Sequence, residues 1–355
     1  MDERSSTQTF KINTMQKYEI FVGIDMSKQW FNAALYCPGL EGKLPQGQFD
    51  NNPAGFQKLV NWLVHQTATR KPESQWYVCM EHTGIYGLAL AHFLDKRQIK
   101  IVMECPLRIA RSLGLRRSKT DSADAVAIAH YAFKEHERIK VRPLPSEGLL
   151  QIHSLLSLRA RLTRYAQGLN VAAKELKGFV PASVSDAVLQ GTQPVSQQIG
   201  AQIKVIDKQL KQLIEEDVQL NALFTLLKSI KGIGLIIGAY LLVYTNGFTA
   251  FEKSRQFACY IGIAPFPYQS GSSIRRPDQV SYLANKRLKA LISTAATVAT
   301  CHDPEFKIFF DRQTARRKDE GWIYNAIKNK IIHRIFAVVK RGTPYVVRGK
   351  HVALT

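Results

Sequence analysis

The sequence predicts an α/β domain followed by a largely helical remainder. Two observations carry that expectation. The first 140 or so residues alternate short apolar runs with stretches of helical period, whereas from Leu149 onward apolar residues recur almost wholly at helical spacing. A chain of 355 residues with 45% hydrophobic content is also long enough for two or three packed domains.

The α/β part can be justified element by element. "YEIFVGIDMSK" is an apolar run that reaches Asp25 and then a turn; "WFNAALYC" is a second strand and "GQFDN" ends a third. Turn signals at Ser27–Gln29 and across Pro38–Pro45 suit antiparallel hairpins. "NPAGFQKLVNWLVHQ" has Pro53 near a helix start and apolar residues at 56, 59, 60, 63 and 64. "QWYVCME" reads as a buried strand, "IYGLALAHFLDKR" as a helix and "IKIVMEC" as another strand. A last helix opens in "KTDSADAVAIAHYAF", with Thr120 as the expected cap. A three-strand meander followed by helix, strand, helix, strand, helix is the order of an RNase H-like fold. A doubly wound dinucleotide fold would want a glycine-rich loop after the first strand, and "GIDMSK" has none.

Beyond this, "LLQIHSLLSLRARLTRYAQGLNVAAKEL" is a long helix and "FVPASVSDAVLQGTQPV" interrupts it with two prolines. The stretch from Ile199 to Ile230 returns to near-heptad spacing, which predicts a helical hairpin or a coiled-coil contact between copies. Further helices are expected around "SIKGIGLIIGAYLLVY" and from "YLANKRLKALISTAATVAT" onward.

Charge narrows the function. The formal net charge is +21, and residues 141–355 hold 30 Lys/Arg against 14 Asp/Glu, a net of +16. An excess of that size calls for a polyanionic partner, of which nucleic acid is the commonest. Membrane insertion is disfavoured: the longest apolar run, "GIGLIIGAYLLVY", is too short to cross a bilayer. The N-terminal residues lack the apolar core of a signal peptide. Cys37, Cys79, Cys105, Cys259 and Cys301 form no metal-type pair and read as reduced thiols of a cytoplasmic protein.

The acidic residues fall where phosphoryl chemistry would want them. Asp25 and Glu81 end predicted strands, and Asp121 and Asp124 share nearly one face of a first helical turn. Four converging carboxylates repel one another unless divalent cations lie between them, which makes them candidate ligands for Mg²⁺ or Mn²⁺ in two-metal chemistry. Taken singly, each acid is better explained as a turn or helix-start residue; the joint placement is what points to a site. Glu104 also ends a strand but ranks lower, since Pro106 follows closely. His82 suits a supporting role, because hard cations prefer oxygen.

Cations flank the acids in "LGLRRSKTDSAD": Arg111 precedes it, and Arg116, Arg117 and Lys119 lie within. They are candidate phosphate contacts. So are Lys231, Gly232 and Gly234 of "KGIG", a glycine turn that either lets backbone approach a phosphate or serves close helix packing. Lys286 and Arg287 begin a basic helix. Between these lies "FPYQSGSSIRR", with Ser270, Ser272, Ser273, Arg275 and Arg276. It can be a plain turn, a phosphate-binding loop, or the home of a serine nucleophile needing an activating base.

These motifs together carry a resemblance. "GIDMSK", "CMEHTGIY", "GLRRSKTDSADAVAIA", "SIKGIG" and "QFACYIGIAPFPYQSGSSIRR" resemble, in order and over nearly the whole chain, the DEDD-type insertion-sequence transposases, which include bridge-RNA-guided recombinases and the pilin-gene invertase. The resemblance implies a RuvC-like domain at 18–143 between a tail at 1–17 and a helical oligomerisation segment at 144–228. A C-terminal transposase domain at 229–345 and a tail at 346–355 would follow. It implies Asp25, Glu81, Asp121 and Asp124 as metal ligands, and Ser270 as the nucleophile of DNA cutting and rejoining. It further implies donor and target DNA, a structured guide RNA, and a dimer or tetramer in which one subunit's acids complete another's serine site. Gln269 and His82 depart from the residues usual at those positions. A nuclease that uses water, or a non-catalytic nucleic-acid binder, are the alternatives on the residues alone.

Overall fold

The computed structural model describes residues 18–39, 42–67, 73–82, 84–112, 121–270, 274–280 and 283–346. For Ser74, Asp121, Ser122, Ala172, Ala173 and residues 267–270 and 274–279 it describes the backbone. The chain divides into two compact units, Met1–Leu144 and Pro145–Thr355.

The first unit is built on a mixed five-stranded sheet. Strands β1 (Ile20–Met26), β2 (Trp30–Tyr36) and β3 (Gln46–Asp50) form the meander. Helix α1 (Pro53–Gln66) follows, its start fixed by Asn52, whose side chain accepts from the Gly55 amide at 2.9 Å while Pro53 occupies the first turn. Then come β4 (Trp76–Glu81), α2 (Leu88–Lys96), β5 (Lys100–Glu104), α3 (Pro106–Ser112) and α4 (Asp121–Glu135). The strand order is β3-β2-β1-β4-β5, antiparallel between β1, β2 and β3 and parallel from β1 through β4 to β5. This is the mixed sheet and element order expected of an RNase H-like domain.

Strand alternation divides the core into two layers. Ile20, Val22 and Ile24 of β1 pack with Phe56, Leu59 and Leu63 of α1 and Leu90 and Leu94 of α2. On the opposite face Phe21 meets Tyr77, Cys79 and Val102 from the neighbouring strands and Ile128, Tyr131 and Ala132 of α4. β1 is therefore buried on both faces, save that Asp25 is only half-buried. Gly23 decides how closely α4 approaches. A Cβ placed there would lie 2.1 Å from the Ala129 nitrogen and 2.2 Å from the Ala125 oxygen, so helix backbone rests directly on strand backbone.

The second unit is mostly helical. Helices α5 (Glu147–Glu175) and α6 (Ala182–Glu216) form a long hairpin, cross-tied by Arg159, whose Nε and Nη2 donate to the Asp207 carboxylate at 2.6 and 3.2 Å. Among the described residues, buried side chains occupy only its root: Leu149, Ile152 and Leu156 on α5, Ile206, Leu210 and Ile214 on α6. These join a core made with α7 (Val218–Lys228), α8 (Leu235–Tyr244), α9 (Ser254–Tyr260), α10 (Lys286–His302), α11 (Pro304–Ala315) and α12 (Glu320–Arg341). A stripe at Ile323, Ile327, Ile331, Ile335 and Val338 gives α12 its buried face. Two short strands, β6 (Pro265–Ser270) and β7 (Ile274–Val280), pair antiparallel between α9 and α10. No helix among the described residues is long and apolar enough to cross a membrane.

Two stretches differ from the sequence expectation. The segment with Pro181 and Pro194, expected to break the helical pattern, is helix: Pro181 caps α6 and Pro194 lies inside it. "FPYQSGSSIRR", expected as a loop, is largely a strand pair.

Two outcomes follow for stability. Gly23→Ala has no room without displacing α4, and is expected to lower the unfolding free energy of the first unit by about 1–3 kcal/mol, read in urea titrations. His153 is half-buried against Tyr244, with ring centroids 5.9 Å apart, and burial holds its pKa below the usual 6.5. The unfolded chain therefore takes up the proton first as pH falls, so stability is full above about 6.5 and declines below it. Thermal melts of His153→Gln should show a weaker decline between pH 7 and 5 than the parent.

Candidate active site

Strand register sets two of the candidate acids side by side. Ile24 of β1 pairs with Met80 of β4, so the next position sets Asp25 beside Glu81 at the carboxyl ends of adjacent parallel strands. Parallel neighbours lie about 4.8 Å apart. Glu81 is in turn in register with Glu104 at the end of β5. Alternation places all three on the α4 face of the sheet, the face of Phe21, Tyr77 and Val102.

Helix α4 runs antiparallel to β1. Phe21 meets Phe133 at 5.3 Å between ring centroids, and Gly23, further along the strand, meets Ala125 and Ala129. Two strand residues rise about 6.6 Å, a little more than the 5.4 Å of one helical turn. The N-terminal turn of α4, with Asp121 as its first residue and half-buried Asp124 one turn along, is thereby level with Asp25 and Glu81. A helix N-terminus there also favours negative charge through its macrodipole.

Glu104 has a different environment from its neighbours in the row. It is 7% exposed, and its Oε2 accepts from the Tyr131 hydroxyl and from Arg108 Nη1, each at 3.1 Å, while Oε1 accepts from the Cys105 amide at 2.8 Å. Its carboxylate is neutralised by protein, and it bolts β5 to α4. The neighbours respond: burial first and the Glu104 charge second push the Tyr131 hydroxyl and the Cys79 thiol far up, so both stay protonated. The hydrogen bond and charge of Glu104 raise the Arg108 pKa further above its usual value. Its strand-end position carries the same signal that marks Asp25 and Glu81, and its contact with Tyr131 on α4 is not visible in the sequence.

His82 is exposed, and its backbone N–H donates to the Glu104 carbonyl at 2.8 Å. Arg111 is exposed on α3. Arg116, Arg117, Lys119 and the expected cap Thr120 lie outside the described residues. Among the described residues no group of three or more His, Cys, Asp or Glu side chains is placed to hold a metal ion; the Asp121 side chain lies outside that description. The donor set itself is carboxylate throughout, the chemistry that suits Mg²⁺ or Mn²⁺ over softer metals.

In the second unit Ser270 ends β6 opposite Ile274, and Arg275 and Arg276 on β7 stand opposite Gln269 and Tyr268. Ser272 and Ser273 fall outside the described residues. The root of the hairpin is pinned on both sides. Asn325 of α12 donates to the Ile263 carbonyl at 3.1 Å, and Asn285 donates from its amide to the Tyr260 carbonyl at 3.0 Å. Asn285 also caps α10, so Lys286 and Arg287 begin that helix beside the hairpin, both exposed, with Arg287 over the Tyr240 ring at 5.4 Å.

The "KGIG" turn links α7 to α8. Gly232 has φ 92°, and a Cβ there would lie 2.4 Å from the Ala295 oxygen of α10, which gives this glycine a packing reason. Lys231 and Gly234 are exposed.

Comparison with known proteins places this architecture. A family model described as Transposase matches residues 22–177, and the model of the Transposase IS116/IS110/IS902 family matches residues 224–311. The chain belongs to the IS116/IS110/IS902 family of transposases. It is similar over most of its length to the pilin gene-inverting proteins of Moraxella bovis and Moraxella lacunata, 29% identical over 330 residues in each case, which is 92% of this chain and 97% of theirs. An insertion element IS110 protein of Streptomyces coelicolor is 29% identical over 144 residues, 41% of this chain and 34% of that protein. Among solved structures, T. thermophilus RuvC in complex with a Holliday junction substrate aligns with 36% of this chain at a TM-score of 0.27 and 12% identity, a likeness too slight to carry an argument.

The Glu104 bolt can be tested separately from activity. Tyr131→Phe removes a donor from a buried carboxylate and should cost about 1–3 kcal/mol in chemical denaturation. Arg108→Ala should cost less, because its side chain is 66% exposed and screened by solvent.

Proposed function

We propose that this transposase cuts and rejoins DNA strands through a serine nucleophile assisted by a divalent-cation site on the first unit. The observation that carries the reading is the assembly of Asp25 and Glu81 at adjacent strand ends with the α4 turn that begins at Asp121 and holds Asp124. The net charge of +16 over residues 141–355 supports a polyanionic substrate.

In this reading Asp25, Glu81, Asp121 and Asp124 hold Mg²⁺ or Mn²⁺. When bound, the cations supply charge stabilisation for an in-line phosphoryl displacement. The Ser270 hydroxyl loses its proton to a base supplied by another subunit, and its Oγ forms a bond to the scissile phosphorus. The bond from phosphorus to the departing strand oxygen breaks, and that oxygen takes up a proton. Rejoining runs the same exchange backwards with a strand hydroxyl as the attacker, so no water is consumed and the phosphodiester count is conserved. Arg275, Arg276, Lys286 and Arg287 hold phosphates around the hairpin, as do Arg111, Arg116, Arg117 and Lys119 around the acids. Donor and target DNA are selected with a structured guide RNA, and the protein works as a homo-oligomer, dimer or tetramer.

Incubating the protein with labelled element-end DNA and resolving it on denaturing gels separates serine attack from attack by water. The parent should yield a covalent protein–DNA adduct, and Ser270→Ala should lose it together with about 1,000-fold or more of the cleavage rate. Cleavage that continues undiminished in Ser270→Ala would overturn the nucleophile assignment. Chelation by EDTA and Asp25→Asn should each abolish cleavage while leaving DNA binding in place, and Mg²⁺ should restore only the chelated sample. Sequencing of co-purified RNA tests the guide, which fails if no discrete structured species is enriched.

A further inference from the structure

Away from the hairpin, α11, α12 and the segment from Arg341 to Val346 enclose a cleft of about 890 Å³. That lies within the range of small-ligand clefts, about 300–1,000 Å³. Gly342 makes the cleft possible: at φ 69° it ends α12 in the left-handed conformation and turns the chain back. The returning strand is then pinned, with the Tyr345 amide donating to Ser229 Oγ at 2.8 Å.

The floor is aromatic and the mouth is cationic. The Arg334 guanidinium lies over Phe306 at 4.0 Å and Tyr345 at 4.5 Å from the ring centroids. It is fully committed, donating to buried Asp303 at 2.9 Å and to Glu305. Glu305, the acidic residue of the lining, is neutralised by it. That leaves Arg312, Lys330 and Arg341, all exposed and with no acidic partner among the described residues. Lys330 Nζ sits 4.7 Å over the Phe309 ring. Such an exposed cation–π contact is weaker than stacking of a nucleobase on the same ring. A base can therefore take the ring face while the ammonium moves to a phosphate.

We propose that this cleft binds an unpaired stretch of a nucleic-acid strand, one base stacked on Phe309 and its flanking phosphates held by Arg312, Lys330 and Arg341. A duplex keeps its bases stacked within the helix, so none can reach the aromatic floor. The inference rests on the reading that this protein acts on nucleic acid, and is independent of which residue cuts. DNA and RNA strands share the chemistry and are separated by the test.

Fluorescence anisotropy over a range of NaCl, with labelled oligo-dT, oligo-U and a DNA duplex of equal length, supplies the measurement. The triple variant Arg312→Gln, Lys330→Gln, Arg341→Gln should weaken single-strand binding at least tenfold. It should also make the salt slope shallower by about 2, at about 0.7 for each lost phosphate contact. Phe309→Leu should weaken single-strand binding about tenfold with the slope unchanged, and both variants should bind duplex within twofold of the parent. A larger loss on oligo-dT than on oligo-U assigns the cleft to DNA, and the reverse to RNA. The proposal is overturned if the variants match the parent on single strands or lose duplex binding equally. It is also overturned if polyglutamate of equal charge competes as well as unlabelled oligonucleotide, which would mark an acidic-peptide site. If the parent binds no nucleic acid at all, the reading beneath the proposal falls with it.

Discussion

At Gly23 a strand and a helix touch through their backbones, with no side chain between them. Everything proposed for the first unit hangs on that contact. It sets the height of α4 over the sheet, the ring pair of Phe21 and Phe133 sets its direction, and together they bring the turn that starts at Asp121 to the ends of β1 and β4. The small residues of α4, Ala125 and Ala129 among them, are the complementary half of the device. Asp25 and Glu81, set side by side at those strand ends, repel one another, so their pairing costs free energy that the surrounding packing must offset. The bolt from Glu104 to Tyr131 and Arg108 supplies part of that offset on the β5 side.

The two units solve different problems with different means. In the first, charge is concentrated at the end of a sheet whose interior is apolar on both faces. In the second, positive charge is spread over helices, and where an arginine is drawn inward it is paired, as Arg334 is with Asp303 and Glu305 and Arg159 with Asp207. These inward arginines serve the fold, which leaves exposed cations for a polyanion.

Much of the first unit was legible because each element carried a local signal. The apolar run of β1, the Asn52–Pro53 start of α1 and the apolar spacing after it all describe events within a few residues. The acids could be placed for the same reason, since strand ends are visible in sequence. What escaped depended on distance or context. Glu104 looked like a weaker copy of Glu81 until the Tyr131 hydroxyl, 27 residues away, and Arg108 were seen to hold its carboxylate. The β6–β7 pair carries Pro265, Pro267 and Pro277, which argue against a central strand. In a two-stranded sheet both strands are edges, so the objection lapses. Pro194 in α6 misled in the same way: proline opposes a helix interior, yet the helical pattern on either side of it prevailed. The Ser270 role was never a matter of local physics and came from resemblance alone.

The α5–α6 hairpin is rooted at one end. Among the described residues no side chain between Leu156 and Ile206 is fully buried, and Phe179 near the tip is 88% exposed. Its length is therefore a nearly independent variable. Matched insertions or deletions of a turn in both helices would change its reach by about 5.4 Å each without disturbing the core below. A lineage could lengthen or shorten this arm while conserving everything at its base, and two proteins with the same chemistry could differ chiefly in how far that arm extends.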